Sequence, residues 1–304
     1  MPGLFCCALP RCRLSLGFQP RPVILSTTVF LLVLFAAFLH AAWNVQVKLN
    51  LDRFLGLFLI QTGMGFFGLA MLAVTGMPNS TGLIYGIVSG FLHTGYNLFL
   101  ARSYRTGDLS LVYPLARGGA PFLTLLGTSI LMHDVPTPLA TAGIVVLLIG
   151  LLLAGLSGLR RANVDRQTLF FAGGTAVFIA VYTVVDGLGG RVSGDPIAYA
   201  GFVFVLDGLF LFVTGLMMRG PVILTHVLPH WKKGLFGAAA SSLAYAIVIW
   251  AMAQAPIATV AALRETSIIF ALVMSARLLK ETLTIQRVAG ALLIAAGAIL
   301  LRIG

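Results

Sequence analysis

The chain has 304 residues, of which 59% are apolar and only 10% are charged. Soluble domains carry about 25% charged residues, so this composition excludes a soluble globular protein and indicates one that lies within a lipid bilayer. The net charge of +11 does not point to nucleic acid. Most basic residues fall between apolar runs, where they act as topology signals and contact anionic lipid.

The first 22 residues are expected to form a disordered extension outside the fold. They contain Cys6, Cys7 and Cys12, which have neither zinc-ligand spacing nor a paired cysteine elsewhere in the chain. The apolar run that follows is as long as a membrane span, which is too long for the apolar region of a signal peptide. We therefore leave residues 1–22 out of the predicted fold.

Ten apolar runs of about 20 residues follow, each of the length that one helix needs to cross a bilayer. Backbone groups must be hydrogen-bonded inside lipid, and these runs lack the alternation of barrel strands, so we predict helices. The predicted spans are Val23–Asn44, Phe54–Val74, Gly82–Arg102, Leu109–Leu131, Leu139–Leu156, Leu169–Gly187, Ile197–Met217, Leu235–Gln254, Ile257–Leu279 and Val288–Leu301.

The fourth and fifth spans have the same pattern as the ninth and tenth. Arg117 corresponds to Arg264 at an offset of 147 positions (264 − 117). Internal repetition at a fixed offset indicates two copies of one unit. The same offset relates Leu131 to Leu278, Thr137 to Thr284, Gly143 to Gly290, Gly150 to Gly297 and His133-Asp134 to Lys280-Glu281.

The two copies are predicted to lie in opposite orientations in the membrane. The charged connection 158–167 separates a unit at residues 23–157 from a second unit at residues 168–304. Each unit has five spans, and because five is odd the second unit starts on the opposite side. We predict an all-α integral membrane fold of about ten transmembrane helices, arranged as two inverted five-helix repeats. Transporters built in this way bind substrate between the repeats, near the midplane.

Basic residues give two conflicting indications of orientation. The connections after odd-numbered spans hold most of the lysines and arginines, so the positive-inside rule places them in the cytoplasm and both termini outside. Arg11, Arg13 and Arg21, before the first span, favour the opposite arrangement. The sequence therefore leaves the orientation open.

Two arginines inside predicted spans are candidates for binding substrate. Arginine at the centre of a membrane helix costs about 2.5–3.5 kcal/mol of free energy on insertion, so Arg117 and Arg264 are expected to have a functional or structural role. The segment 118–121, Gly-Gly-Ala-Pro, is expected to weaken the helix beside Arg117 and to free carbonyl groups there. An equally strong alternative is that Arg117 reaches the interface or pairs with an acid. Glu265, next to Arg264, is a candidate for proton coupling.

A polar stripe runs along the first span. His40, Asn44 and Lys48 are spaced by four residues, which places them on one helix face, and such a face turns toward protein or a water-filled path. Histidine titrates near neutral pH, so His40 is a candidate for proton coupling. Asn44 is a candidate for binding substrate, whereas Lys48 is interpreted as marking the end of the span.

The remaining candidates are one acid and two tyrosines. Asp207, near the centre of the seventh span, is the most isolated acid in the chain and a candidate for proton coupling. Asp186, near the end of the sixth span, is expected at the membrane interface. Tyr96 and Tyr245 are candidates for binding substrate, although single aromatic residues in membrane spans more often serve packing.

The sequence contains no motif of an enzyme or of an ATP-driven pump. CxxC, HExxH and GxxxxGK[ST] are absent, and no GxSxG stands in a suitable setting. We therefore expect neither catalysis nor a cofactor. If transport is uphill, we expect an ion gradient to supply the energy. A lipid-modifying membrane enzyme would need clustered acids, histidines or metal ligands, and a non-transporting scaffold would not need intramembrane Arg and Asp.

These features resemble the drug/metabolite transporter superfamily, in particular its EamA-type permeases. Pro256–Leu301 resembles the end of an EamA repeat, and Val112–Leu153 has the same shape. The resemblance covers most of Val23–Arg302, but the first copy has His133-Asp134 and Pro136 where the second has Lys280-Glu281. The residues that carry it are Arg264, Lys280-Glu281 and Gly290 in the second copy, Arg117, Asp134, Gly143 and Gly150 in the first, and His40, Trp43, Asn44 and Lys48 in the first span.

The resemblance implies a permease, since members of this group move amino acids, amines, metabolites or drugs, often outward. We predict a multi-pass protein of the bacterial inner membrane that exports such a small molecule by alternating access. The substrate is expected between the halves, near Arg117, Arg264, Asn44 and Asp207. The sequence does not select among substrates, and it leaves the formation of a homodimer open.

Overall fold

The structure, a computed structural model, describes residues 25–48, 53–106, 109–132, 134–159, 166–278 and 283–304. The predicted N-terminal extension, most of the connection 158–167, His133 and the Lys280-Glu281 pair lie outside these residues. The helices are α1 (Thr27–Lys48), α2 (Arg53–Thr75), α3 (Ser80–Thr106), α4 (Leu109–Gly127), α5 (Pro138–Leu159), α6 (Arg166–Val192), α7 (Pro196–Arg219), α8 (Val222–Val227), α9 (Trp231–Gln254), α10 (Ile257–Arg264), α11 (Ser267–Leu278) and α12 (Ile285–Ile303).

Every predicted span is helical over most of its length, which confirms the all-α membrane fold. Within the described ranges, nine helical segments are long and apolar enough to cross a membrane. The fourth predicted span is helical as well, because α4 continues into one π-helical turn at Thr128–Met132. The short helix α8, which follows Gly220 and Pro221, had no sequence prediction.

The ninth predicted span is two helices rather than one. The chain tightens after Arg264, where the backbone N–H of Glu265 bonds to the carbonyl of Ala262 and that of Thr266 to Leu263. These bonds span three residues rather than four, as in a 3₁₀ turn. The Thr266 hydroxyl also donates to the Leu263 carbonyl at 2.7 Å, which gives that carbonyl a second donor at the break.

The predicted weakening beside Arg117 is not seen, since α4 remains helical through the segment 118–121. A helix tolerates proline where neighbouring helices supply partners for the freed backbone groups. The interruption lies instead at the matching place in the second copy, directly after Arg264. The two copies therefore share a position for Arg but differ in the backbone that follows it.

The contact between α5 and α12 confirms the inverted repeat. Gly143 faces Gly297, and Gly150 faces Gly290. Residue numbers rise along one helix as they fall along the other, so the helices are antiparallel. The offset of 147 converts each of these contacts into the other, as expected for two units related by a two-fold axis.

The caps of these two helices repeat at the same offset. The Thr137 hydroxyl accepts a hydrogen bond from the N–H of Ala140 at 3.1 Å, and the Thr284 hydroxyl accepts one from Arg287 at 3.4 Å. Both threonines satisfy a backbone donor in the first turn of their helix. The correspondence of Thr137 with Thr284 therefore has a structural cause in both copies.

The remaining helices also pack in pairs related by the same symmetry. Helix α2 lies against its counterpart α7. The contact of α3 with α6 corresponds to the contact of α9 with α1 in the other unit. In the same way, the contact of α4 with α6 corresponds to that of α10 and α11 with α1. Close approach of α2 and α7 depends on small residues, because Gly65 faces Gly208 and Gly68 faces Gly201. Small residues supply much of the association between helices in lipid.

Candidate functional site

A polar cavity of about 80 Å³ lies between the two units. This space is several times the roughly 10–15 Å³ that one ordered water needs. Both units contribute to its wall, α1, α2 and α3 from the first and α6, α7, α9 and α10 from the second. The polar and aromatic lining residues are His40, Trp43, Gln61, His93, Tyr96, Asn97, Tyr182, Asp207, Ser241, Tyr245 and Arg264.

Five of the eight predicted site residues lie in the wall of this cavity, and three do not. His40, Tyr96, Asp207, Tyr245 and Arg264 line the cavity. Asn44, Arg117 and Glu265 are outside the lining. The Asn44 side-chain amide donates to the backbone carbonyl of His40, one turn earlier in α1, at 2.8 Å.

The two intramembrane arginines have different surroundings. Arg117 is buried, with its Nε 3.1 Å from Oε2 of the buried Glu265, which links α4 of the first unit to the break in the second. Arg264 lies over the ring of Tyr245, with 5.3 Å from Cζ to the ring centroid, a cation–π contact. Arg264 therefore presents its charge to the cavity, while Arg117 supports the helix break beside it.

Asp207 is paired, contrary to the expectation of an isolated acid. Its Oδ2 is 3.1 Å from Nδ1 of His93 on α3. Both side chains are buried in the contact between the two units. The partner was not recognised from the sequence because the two residues lie on distant helices, and only folding places them together.

Asp186 was expected at the membrane interface, and its side chain is fully buried within the protein. The hydroxyl of Tyr199 donates to its Oδ1 at 2.9 Å, and the hydroxyl of Tyr245 donates to its Oδ2 at 2.5 Å. Nε2 of His93 is 3.7 Å from the same Oδ2. Helix α6 continues to Val192, which places Asp186 deeper than the predicted end at Gly187.

Aromatic rings surround the imidazole of His93. Its ring centroid lies 4.1 Å from that of Tyr182 and 5.7 Å from that of Tyr245. Tyr96 in turn contacts Tyr182, with centroids 5.6 Å apart. One wall of the cavity is therefore amphipathic, with phenol rings that offer apolar faces and hydroxyl groups to a small organic molecule.

One face of the membrane domain is closed by polar contacts between the units, here named the seal. The seal consists of Asp134, in the α4–α5 connection, and Arg191, near the end of α6, whose side chains are 10% and 7% exposed. Arg191 donates to Asp134 at 3.0 Å and also to the carbonyls of Met252 and Ala255, at the end of α9. Asp134 accepts from the N–H of Ile257, the first residue of α10.

The cavity lies away from the seal, toward the opposite face. His40 lies in the second half of α1, and Leu57 lies near the start of α2. The end of α1 and the start of α2 both belong to the face opposite the seal. A second tie closes the sealed face, because the Asn79 side chain donates to the carbonyl of Val192 at 2.8 Å. Polar contacts between the units therefore lie on the side of the cavity that faces Asp134 and Arg191.

The described residues include no group of three or more His, Cys, Asp or Glu side chains placed to hold a metal ion.

Comparison with known proteins agrees with this architecture. A solved crystal structure aligns with a TM-score of 0.68 at 18% sequence identity, covering 90% of this chain and 96% of its own, so the two share a fold. No curated protein matches the sequence. The EamA-like transporter family matches residues 167–303, which include α6–α12 and the wall residues Asp207, Tyr245 and Arg264. Residues 167–303 therefore belong to the EamA-like transporter family, part of the drug/metabolite transporter superfamily.

Proposed function

We propose that this multi-pass membrane protein is a permease that exports a small metabolite, such as an amino acid, an amine or a related compound, across the bacterial inner membrane. The observation that supports this most is the polar cavity at the contact between two inverted units. Transporters with inverted repeats bind substrate at that place.

The chemistry of the wall suits a small molecule that carries an acidic or an amino group. The guanidinium of Arg264 is the group that would hold an acid, and the carboxylate of Asp207 is the group that would hold an amine. Tyr96 and Tyr245 offer rings to the carbon skeleton. In this proposal Arg117 positions the helix break next to Arg264 through its contact with Glu265, and Asn44 supports the backbone of α1 at His40.

Alternating access is the mechanism favoured by the positions of the seal and of the polar cavity. The seal ties the first unit to the second on one face, and its partners include the end of α9 and the start of α10. The break after Arg264 gives the second unit a place where α10 and α11 can change their angle. A rocking movement about the shared axis would break the seal and expose the same cavity to the other face.

Candidates for coupling transport to protons are His40, Asp207 and Glu265. His40 and Asp207 line the cavity, where water can deliver a proton. Glu265 is held by Arg117, away from the wall, so any protonation there would act through the break between α10 and α11.

The proposal is tested by ligand-induced stabilisation of the purified protein in detergent. The panel contains amino acids, amines, nucleosides, sugars and phosphonates. A ligand at one hundred times its dissociation constant adds about 2.7 kcal/mol to the free energy of unfolding, which raises the melting temperature. We expect one class to do so, and we expect Arg264→Ala to abolish the shift for a ligand with an acidic group.

The control is Arg277→Ala, which removes an exposed arginine at the end of α11. It should leave the shift intact. A shift that survives Arg264→Ala would contradict the role of Arg264, and a folded protein that responds to no class would contradict the proposed substrates.

A further inference from the structure

His93 lies between two carboxylates that belong to the other unit. Its Nδ1 is 3.1 Å from Oδ2 of Asp207, and its Nε2 is 3.7 Å from Oδ2 of Asp186. All three side chains are buried. Because α3 belongs to the first unit and both acids to the second, a relative movement of the units changes these contacts.

The hydrogen bonds around the three residues favour a charged imidazole. Asp186 accepts from the hydroxyls of Tyr199 and Tyr245, and such donors stabilise its ionised form. The Ser89 hydroxyl, on the same helix, also lies 3.3 Å from Nδ1 of His93. A neutral imidazole has one N–H, whereas an imidazolium presents one N–H toward Asp207 and one toward Asp186. Oδ1 of Asp207 has no hydrogen-bond partner among the described residues, so His93 is the main compensation for that charge.

The charges at the cavity balance when His93 carries a proton. Two carboxylates contribute −2, and Arg264 and an imidazolium contribute +2, whereas a neutral imidazole leaves −1 in a buried site. An uncompensated buried charge is strongly unfavourable. Arg117 and Glu265 offset each other. The titratable and charged groups that face His93 are Asp186 and Tyr182 on α6, Asp207 on α7, Tyr245 on α9, Arg264 on α10 and Tyr96 on its own helix, with His40 on α1 across the cavity.

We propose that His93 carries one exchangeable proton and that a substrate with a single positive charge displaces it, one for one. The cationic group of the substrate then occupies the position beside Asp207 that the proton on His93 held before. The Nδ1–H bond of the imidazolium breaks, its electron pair stays on the nitrogen, and the proton passes to water in the cavity. The net charge of the site is the same before and after.

This inference rests on the proposed function and specifies its substrate and its drive. A proton that enters from one side and a cation that leaves from the other make an electroneutral exchange. A zwitterion adds no net charge, so it binds without displacing the proton. The charge of the substrate therefore decides whether its transport follows the pH gradient.

The exchange is tested with labelled choline in proteoliposomes, because this permanent cation cannot cross the bilayer as a neutral base. A pH difference of one unit should drive choline to a concentration ratio of about tenfold, since each pH unit is a factor of ten in proton activity. His93→Gln should reduce the ratio to one. His226→Gln, a change of an exposed histidine on α8, should behave as the original protein. Glycine betaine, which carries no net charge, should stay at a ratio of one.

Each contrary result overturns a different part of the inference. If choline accumulation survives His93→Gln but is lost in His40→Gln, the exchangeable proton belongs to His40 and the assignment to His93 is wrong. Betaine driven by the pH gradient overturns the charge argument. A protein that transports other compounds of the panel but not choline overturns the cationic substrate, whereas a folded protein that transports nothing contradicts the proposed function itself.

A spectroscopic measurement covers the case in which His93→Gln does not fold. The chain has five histidines. In a variant that retains only His93, ¹⁵N NMR in lipid nanodiscs at pH 7.5 should show an imidazolium, and added choline should convert it to the neutral form. A neutral ring without choline would overturn the inference.

Discussion

Arg117 and Glu265 illustrate how single residues in this chain carry charge inside the membrane. Each is buried, and each lies on a different unit, with 3.1 Å between Arg117 Nε and Glu265 Oε2. Two buried ions that compensate each other are tolerable, but one without the other is costly. In the structure, Arg117 therefore forms the ion pair with an acid that the sequence offered as the alternative to a role in substrate binding.

We predict that Arg117→Leu lowers the free energy of unfolding by about 3–5 kcal/mol, because it leaves the carboxylate of Glu265 buried without its partner. The double change Arg117→Leu with Glu265→Leu should restore most of that loss. Thermal unfolding of the single and double variants in detergent measures the difference. A single variant as stable as the original protein would show that the pair contributes little.

At the scale of helices, the contact of α5 with α12 depends on glycine. A Cβ added to Gly150 would lie 2.7 Å from the carbonyl oxygen of Gly290 and 2.8 Å from the backbone nitrogen of Ile294. Both are backbone atoms, so the helices themselves would have to move apart. The repeated glycines thus mark the place where the two units approach each other most closely along these helices.

Gly150→Ala should therefore destabilise the protein by about 1–3 kcal/mol, the usual cost of inserting a carbon into a closely packed contact. The matched control is Gly173→Ala on α6, where an added Cβ meets no atom within 4 Å. That change should leave stability unchanged or increase it, since alanine favours a helix more than glycine by about 1 kcal/mol. Equal melting temperatures for both variants would argue against the close contact.

The helices and their symmetry could be predicted from the sequence because both follow from the order of residue types along the chain. Runs of apolar residues define membrane spans, and the offset between Thr137 and Thr284 reports two caps of the same kind. The break after Arg264 was missed because apolar residues continue on both sides of the polar segment 264–267, so the run reads as one span. The break results from backbone bonds that no composition reveals.

The candidate site was predictable only where one residue is unusual by itself. Arg264 and Asp207 stand out as charges within apolar spans, and both line the cavity. His93 was not singled out, since its importance comes from two acids on other helices. The burial of Asp186 was not anticipated, because α6 extends beyond the apolar run that the sequence shows.

At the scale of the whole molecule, the account requires that substrate passes through the cavity between the units. Ser241→Cys, in a background with Cys6, Cys7 and Cys12 replaced by serine, places a thiol in the cavity wall. A charged thiosulfonate reagent then fills the cavity after the protein has folded. Ser80→Cys, at the exposed start of α3, is the matched control.

The measurement that tests this claim most directly is flux of the labelled amino acids and amines into proteoliposomes before and after the reagent. The account predicts that at least one compound is transported, that modification of Ser241→Cys reduces its flux to the level of protein-free liposomes, and that modified Ser80→Cys keeps its flux. Flux that persists in fully modified Ser241→Cys would contradict a path through the cavity.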